Sequence, residues 1–572
     1  MTVSHIKPDS WLFLRLPSNT LKCIELKPNT IIEVGRLGSF PSNLLLGRPY
    51  YFTHEILEKR DGEAYSRLRV VSPGELNAEV VAEDTTPAES RGEPATPGDD
   101  DIEAVLAETK NNRLTIDAPS RQTLTHVEIE ELKKTAGGQD VIDKILANHG
   151  ALDEKTAFSR AKYMVRKRSK YLKRFTVLPM EIGTLIDWLF EKEPGRIMDM
   201  REETLGLITA WSHAHVTPRD EEMDGRECGK SMAQGRWLVV DDAGGLVVAA
   251  LAERMGLLHK PELEDDDHEQ THTANGDDGF VEMTTDSAAP PNGKPIANGS
   301  STKSATPAAH LDFPLPTATN SITLLHPAVQ PNLSLLKHFG YDTNNPDAFH
   351  PLHTQLKTLS WLQLLHPAED PTYTEPPIVL ESTLKDWKSG KRGAYWKKRR
   401  RWARCKAVVD EAREGGFDGL VIASHVDYTG ILQHLVPLVR GGGHVVLYAP
   451  TAEPLVKVMD LYSKERRSAF TALLAKYPGT PADAINKDDY PLDPRLLLAP
   501  TLQTSRLRDW QVLPGRTHPV MTSRGGGEGY VFTARKVVPL AGGVEARGNY
   551  TGARKRKAAA AVAGAEGGDG GK

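Results

Sequence analysis

Apolar and polar positions change period along the chain, and the changes divide it. From Trp11 to Val71 the apolar residues come in short runs, WLFLRL, KCIEL, TIIEVG, YYFTHEI and YSRLRVV, punctuated by Pro, Gly and Asn. Closely spaced runs of this kind predict a small β-barrel or sandwich. Residues 72–108 are dominated by Pro, Glu, Asp, Thr and Ala and read as a disordered insertion. Pattern resumes with Asn112 to Asp117, one more strand, and Thr125 to Glu128 has capping-box spacing that opens a helix. Further on, Arg236 to Gly256 reads as a buried strand, a tight turn and a helix, the first βα unit of a doubly wound domain. Residues 261–320 have no hydrophobic period and read as a loop within it. Then SITLLHP is the second strand, FDGLVIAS another, VDYTGILQHLVPLV a helix, RGGG a turn and HVVLYAP the next strand. DWQVLPGRTHPVM and GYVFTARKVV are expected to form the terminal antiparallel hairpin.

The expected fold class is therefore multidomain, α+β and α/β. It comprises an N-terminal barrel over 1–118, a helical connector over 119–195 with a basic helix at 158–175, a Rossmann-like domain over 196–547, and a disordered tail over 548–572. Composition agrees: 39% hydrophobic residues, 6% aromatics and a mean hydropathy of -0.42 describe folded domains diluted by polar segments. No apolar run approaches the ~20 residues that span a bilayer. Cys23, Cys228 and Cys405 are scattered without metal-ligand spacing, which predicts a reducing compartment and no zinc. Net charge is -5, but many acids sit in the two low-complexity segments, so the folded parts are more basic than the total.

The turn after Asp241 bears on ligand binding. A dinucleotide or S-adenosylmethionine turn places glycines at alternate positions, so that backbone can approach the ligand and helix can pack on strand. Here those positions hold Ala243, Gly245 and Val247. A methyl and an isopropyl group would fill the volume of the ligand and the first helical turn, so a buried turn without cofactor is expected. The acid that would end the second strand and hold ribose hydroxyls is replaced by His326 and Pro327. At the end of FDGLVIAS stand Ala423, Ser424 and His425; His425 and Asp427 have no assignable catalytic partner.

Two stretches carry cations without acids. Phe158 to Phe175 contains Arg160, Lys162, Arg166, Lys167, Arg168, Lys170, Lys173 and Arg174, with Tyr163 and Tyr171 placed to stack on bases or sugars. Lys388 to Lys406 contains Lys397, Lys398, Arg399, Arg400 and Arg401 near Trp387, Tyr395, Trp396 and Trp402. Cations without i,i+4 acid partners suit phosphate contacts; a solvated helix face and a nuclear-localisation patch are the other readings.

The sequence resembles the non-catalytic subunit family of the eukaryotic tRNA (adenine(58)-N1)-methyltransferase. The resemblance rests on LKPNT, FPSN and GRPYY near the N-terminus, the Asn112 to Lys134 block, the Lys162 to Tyr171 helix, AGGLVVAALAERMG and WQVLPGRTHPVM. It implies an N-terminal β-barrel, a methyltransferase domain without its cofactor site, and a heterotetramer of two catalytic and two non-catalytic chains. The partner would bind S-adenosylmethionine and this chain would help hold tRNA. Nuclear residence is expected from the resemblance together with Arg554 to Lys557 and Lys397 to Arg401. A translation-initiation adaptor that binds RNA and an active methyltransferase are the alternatives.

Overall fold

The computed structural model describes residues 5–57, 65–73, 123–135, 138–149, 163–164, 167–168, 170–216, 235–260, 316–477, 488–507, 510–513, 516–519 and 528–539. The expected strand Asn112 to Asp117, Arg160, Lys162, Arg166 and the tail lie outside them.

The N-terminal strands are β1 (Ser10–Arg15), β2 (Leu21–Leu26), β3 (Ile31–Glu33), β4 (Ser39–Pro41), β5 (Thr53–Ile56) and β6 (Leu68–Val70). They are joined by β7 (Arg174–Pro179), and the five-stranded sheet runs β2-β1-β7-β5-β6. Three consecutive residues of β1 are buried because both faces of the strand are covered. Leu12 and Leu14 meet Phe40, Phe175 and Val177, whereas Phe13 enters the core of the larger domain with Leu178. The separate β3–β4 hairpin places Phe40 on Phe175, stacked at 5.2 Å. Among the described residues β2 and β6 remain edges, so these pairings make an open sheet and none closes the expected barrel.

β7 corrects two expectations. The connector is not wholly helical, and the basic helix does not reach Phe175: Arg174 and Phe175 open a strand that pairs with both β1 and β5. Alternation decides it, since Phe175 and Val177 fill one face of the sheet and Leu178 the other. Two helices, α1 (His126–Thr135) and α2 (Gly138–Ala147), precede it. The capping box at α1 is present: Glu128 N–H donates to Thr125 Oγ1, and Thr125 N–H to Glu128 Oε2.

After β7 come α3 (Ile182–Lys192) and α4 (Glu202–Trp211), which lead into β8 (Arg236–Asp241) and α5 (Leu246–Met255). The described residues resume at Pro316, so 316–320 of the expected loop are placed, and β9 (Ser321–His326) and β10 (Leu356–Ser360) follow. The long helix α6 (Ser389–Glu414) is followed by β11 (Phe417–Ala423), α7 (Tyr428–Leu435) and β12 (Val439–Ala449). The remainder is α8 (Glu453–Leu461), α9 (Lys464–Lys476), β13 (Leu497–Gln503), β14 (Trp510–Leu513), β15 (Arg516–Pro519) and β16 (Tyr530–Lys536).

The seven-stranded sheet runs β10-β9-β8-β11-β12-β16-β13. Its first five strands are parallel, and β16 is antiparallel to both neighbours. β16 pairs with β13, while β14 and β15 form their own ribbon; the expected hairpin partner is corrected accordingly. Arg440 to Gly443 is not a turn but part of β12. A Cβ on Gly443 would lie 2.5 Å from Val439 Cγ1 and 3.0 Å from Asp418 O, so that glycine serves close packing.

Period-two alternation explains why RWLVVD is apolar throughout. Trp237 and Val239 face the core shared with α3, α4 and α5; Leu238 and Val240 face the core under α6, α7 and α8. Trp237 also donates its indole N–H to Ser212 O at 2.9 Å. Chain order reverses between β8 and β11, and the crevice above their C-terminal ends is where such sheets bind ligands.

Candidate functional site: a filled ligand turn and a cationic helix

β8 ends in Asp241, whose carboxylate accepts N–H bonds from Ala243 (2.8 Å) and Val248 (3.0 Å). Burial pushes this carboxyl up to about 6, against the pull of the backbone N–H groups of Val248, Ala243, Gly245 and Val247. Gly244 and Gly245 follow at φ of 72° and 93°, the left-handed region that a tight strand-to-helix turn demands. The turn is thus held tight between strand and helix by its two glycines and by Asp241. Ala243 and Val247 are fully buried and belong to the main core, as the bulk of their side chains predicts.

The volume over the glycines is taken by a segment whose role the sequence does not reveal. A Cβ on Gly245 would lie 3.1 Å from Leu333 Cδ2 and 3.2 Å from Leu333 Cα; one on Gly244 would lie 3.5 Å from Leu335. Leu335 N–H donates to Gly244 O at 3.1 Å, and Leu333, Leu335 and Leu336 are buried in the same core. Arg196 holds the segment from the side by donating to Ser334 Oγ at 2.9 Å. At the end of β9, His326 bonds through Nδ1 to the carbonyl two residues on, Ala328 O, at 2.7 Å, in the place of a ribose-binding acid. The chain after β9 therefore folds back and fills its own crevice.

Across the crevice, Asp242 is spent on structure. It accepts from Ser424 Oγ (2.7 Å) and from the His425 N–H (3.0 Å), which ties β8 to β11. Asp427 caps α7 through Thr429 N–H and pairs with Lys457 at 2.9 Å. Ser424 donates to a carboxylate rather than to an imidazole, so no nucleophile–base pair is assembled there. Among the described residues no group of three or more His, Cys, Asp or Glu could hold a metal, and no helix is long and apolar enough to cross a membrane.

The basic residues divide. Arg174 is buried in β7 and paired with Glu55 at 3.6 Å, a carboxylate that Arg69 shares; this corrects its expected place on an RNA-facing helix. Lys167 lies over the rings of Tyr163 (4.9 Å) and Tyr171 (5.9 Å), and Lys170 over Tyr171 (5.5 Å). Those tyrosines are thus engaged within the chain. Arg168 and Lys173 are half-buried beside them.

α6 presents cations differently. At 26 residues it is about 39 Å long, whereas the seven residues of β11 span about 23 Å. Its C-terminal end is anchored where the strands begin, with Glu411 bound by Arg236 (3.1 Å) and Lys357 (2.6 Å). The N-terminal half consequently extends past the C-terminal edge of the sheet. Only Val409 and Ala412 of the helix are buried. Arg399 is tied to Glu375 at 3.3 Å and lies over Trp402, whose indole N–H donates to Tyr373 O at 2.9 Å. Trp387, Tyr395 and Trp396 pack edge to face, with Lys391 4.0 Å above Trp387. Among the described residues, Lys397, Lys398, Arg400 and Arg404 are exposed and form no ion pair with a carboxylate. Lys397, Arg400 and Arg404 share one helical face, so Arg404 extends the cationic row one turn beyond the run Lys397 to Arg401.

Fold and site together define a mixed α/β protein with a ligand-type turn that its own chain occupies. The chain belongs to the Gcd10p family, which matches residues 5–388. It is 44% identical over 576 residues to the non-catalytic subunit of tRNA (adenine(58)-N(1))-methyltransferase from Aspergillus oryzae, covering 97% of this chain and 96% of that protein. The subunit of the same name from Aspergillus fumigatus is 42% identical over 582 residues, again covering 97% of this chain and 96% of its own. A crystal structure of a SAM-dependent O-methyltransferase from Thermotoga maritima covers 94% of this chain and 96% of its own at a TM-score of 0.37 and 9% identity, too slight a likeness to bear on function.

Proposed function

We propose that this chain is the non-catalytic subunit of a tRNA (adenine(58)-N1)-methyltransferase. It keeps the methyltransferase fold as a scaffold, binds no S-adenosylmethionine, and contributes a cationic surface for tRNA beside a catalytic partner that carries the cofactor. The observation that carries this is the seating of Leu333 and Leu335 over Gly244 and Gly245, where a cofactor would need open space. A heterotetramer of two such pairs and nuclear residence belong to the same proposal. Fluorescent tagging tests residence, and light scattering of the purified complex tests the stoichiometry.

The overhanging half of α6 is the principal RNA surface, and Lys167, Arg168, Lys170 and Lys173 supply a second. A folded tRNA offers backbone phosphates over a wide area, so cations reaching beyond the domain suit it better than a pocket. Each phosphate neutralised adds about 0.7 to 0.9 to the slope of log K against log salt. Replacing Lys397, Lys398, Arg400 and Arg404 with Ala in the assembled complex should flatten that slope by about 3. Calorimetry with S-adenosylmethionine should give no heat with this subunit alone, under conditions that saturate the complex. Micromolar cofactor binding by the subunit, or an unchanged salt slope in an intact variant complex, would refute the proposal.

A further inference from the structure

At the opposite edge of the large sheet from the filled crevice, three imidazoles lie in a row. α4 ends at Trp211, and the chain turns back beneath β8 through His213, whose φ is 55°. That turn lays the His213 ring on His444 at 3.9 Å and 22°, and His215 is stacked with His213 at 5.6 Å and 25°. His444 is paired across β12 and β16 with Arg535, and Arg440 precedes it along β12. His215, Arg440 and Arg535 are exposed; His213 and His444 are half-buried.

Little negative charge faces this row. Asp418, on β11, is engaged by Arg440 and accepts the Arg236 N–H at 2.7 Å. The last carbonyls of α4 already receive the N–H groups of Ser212 and His213. Lys536, next along β16, is buried and feels Asp493 instead. Burial, then His213, Arg535 and Arg440, holds His444 down to about 4; burial, then His215 and Arg535, lowers His213. Near-parallel rings do not aim their nitrogens at a common point, so the row does not have the form of a metal site. It has the form of an anion site awaiting its charge: His213 and His444 are held from protonation beside Arg535 and an Arg440 shared with Asp418, and a docked phosphate would favour their protonated forms.

We infer that this edge is a third RNA-backbone contact, in which His213 and His444 take up protons as a phosphate docks against Arg440 and Arg535. The inference rests on the tRNA-binding function proposed above. RNA is favoured over a small anion because the groups are spread over β12, β16 and the turn after α4 rather than gathered round a point. His215 also leaves an exposed ring at the end of the row on which a base can stack.

The test is filter binding of tRNA to the assembled complex at about pH 7.5 and about pH 6, the range over which histidine changes charge. Wild-type affinity should rise about fivefold more on acidification than that of a His215→Ala, Arg535→Gln variant, whose changes are both at exposed positions. The variant should also lose about 1 from the salt slope. His444→Gln should reduce the pH-dependent part, leaving the share of His213, while keeping the slope. Assembled variants with wild-type affinity and pH response would overturn the inference. So would loss of the pH-dependent part when phosphate replaces chloride at equal ionic strength, since that marks a site for a free anion. Failure of the wild-type complex to bind tRNA at all would instead overturn the functional reading.

Discussion

Substituting Gly245 with Ala tests whether the Leu333 segment fills the turn as described. Two costs arise. Gly245 sits at φ 93°, where a Cβ costs about 1–2 kcal/mol in the left-handed region. The new methyl would also press on Leu333 Cδ2 at 3.1 Å and Leu333 Cα at 3.2 Å; the side-chain tip can yield but the backbone atom cannot, which adds about 1–3 kcal/mol. Together these predict a loss of about 2–4 kcal/mol, or roughly 5–15 °C in the melting temperature of a domain this size. Leu333→Ala alone should cost about 2–5 kcal/mol through the cavity it opens. Combined, the two should cost about 1 kcal/mol less than their sum, because Leu333→Ala takes away the side-chain tip that the new methyl would strike and leaves the backbone of residue 333 still in its way. Gly340→Ala is the control: its φ is 83° but nothing lies within 4 Å of the added Cβ, so it should show strain without coupling to Leu333. The assay is calorimetric melting of the assembled complex. Strict additivity of Gly245→Ala and Leu333→Ala, or a harmless Gly245→Ala, would show that the segment does not rest on the turn.

Acid should weaken the N-terminal sheet through His54, which is fully buried and held down to about 4 by burial and then Arg48. The unfolded chain binds the proton more tightly, so stability is complete above about 6.5 and falls as pH drops toward 4, by up to about 3 kcal/mol; His54→Leu should flatten that limb in urea titrations at pH 5 and 7. Excising residues 261–315 in favour of a short Gly-Ser linker should leave melting and assembly unchanged, because Thr317 Oγ1 donates to Met255 O at 3.2 Å and so brings the flanking chain together, and closure entropy varies slowly with loop length. A failure to assemble would show that the excised residues carry contacts of their own.

What the sequence makes legible is local. The strand, turn and helix from Arg236 to Gly256 follow from β-branched residues and two adjacent glycines, and the burial of Ala243 and Val247 follows from their bulk at positions where a ligand turn would place glycine. Contacts between distant segments are not legible. Leu333 to Leu336 is a short apolar stretch after β9, and nothing local states that it returns to Gly244. Arg174 falls in with the basic helix when charge is grouped by proximity in sequence, whereas Phe175, Val177 and Leu178 obey a period of two and draw Arg174 into a sheet with Glu55. Arg440 to Gly443 reads as a turn because glycine favours turns; in β12 it admits backbone that no larger residue would. The pairing of His444 with Arg535 and the approach of His213 depend on three elements far apart in the chain, and no periodicity reports that.

The segment over the turn also changes what the stability of this crevice depends on. An open crevice links folding to ligand supply: at a hundredfold excess over Kd, a bound ligand adds about 2.7 kcal/mol, and starvation removes it. Leu333 and Leu335 are joined to the turn by the same polypeptide, so their local concentration cannot fall. The packing of this turn therefore does not depend on the concentration of any free molecule.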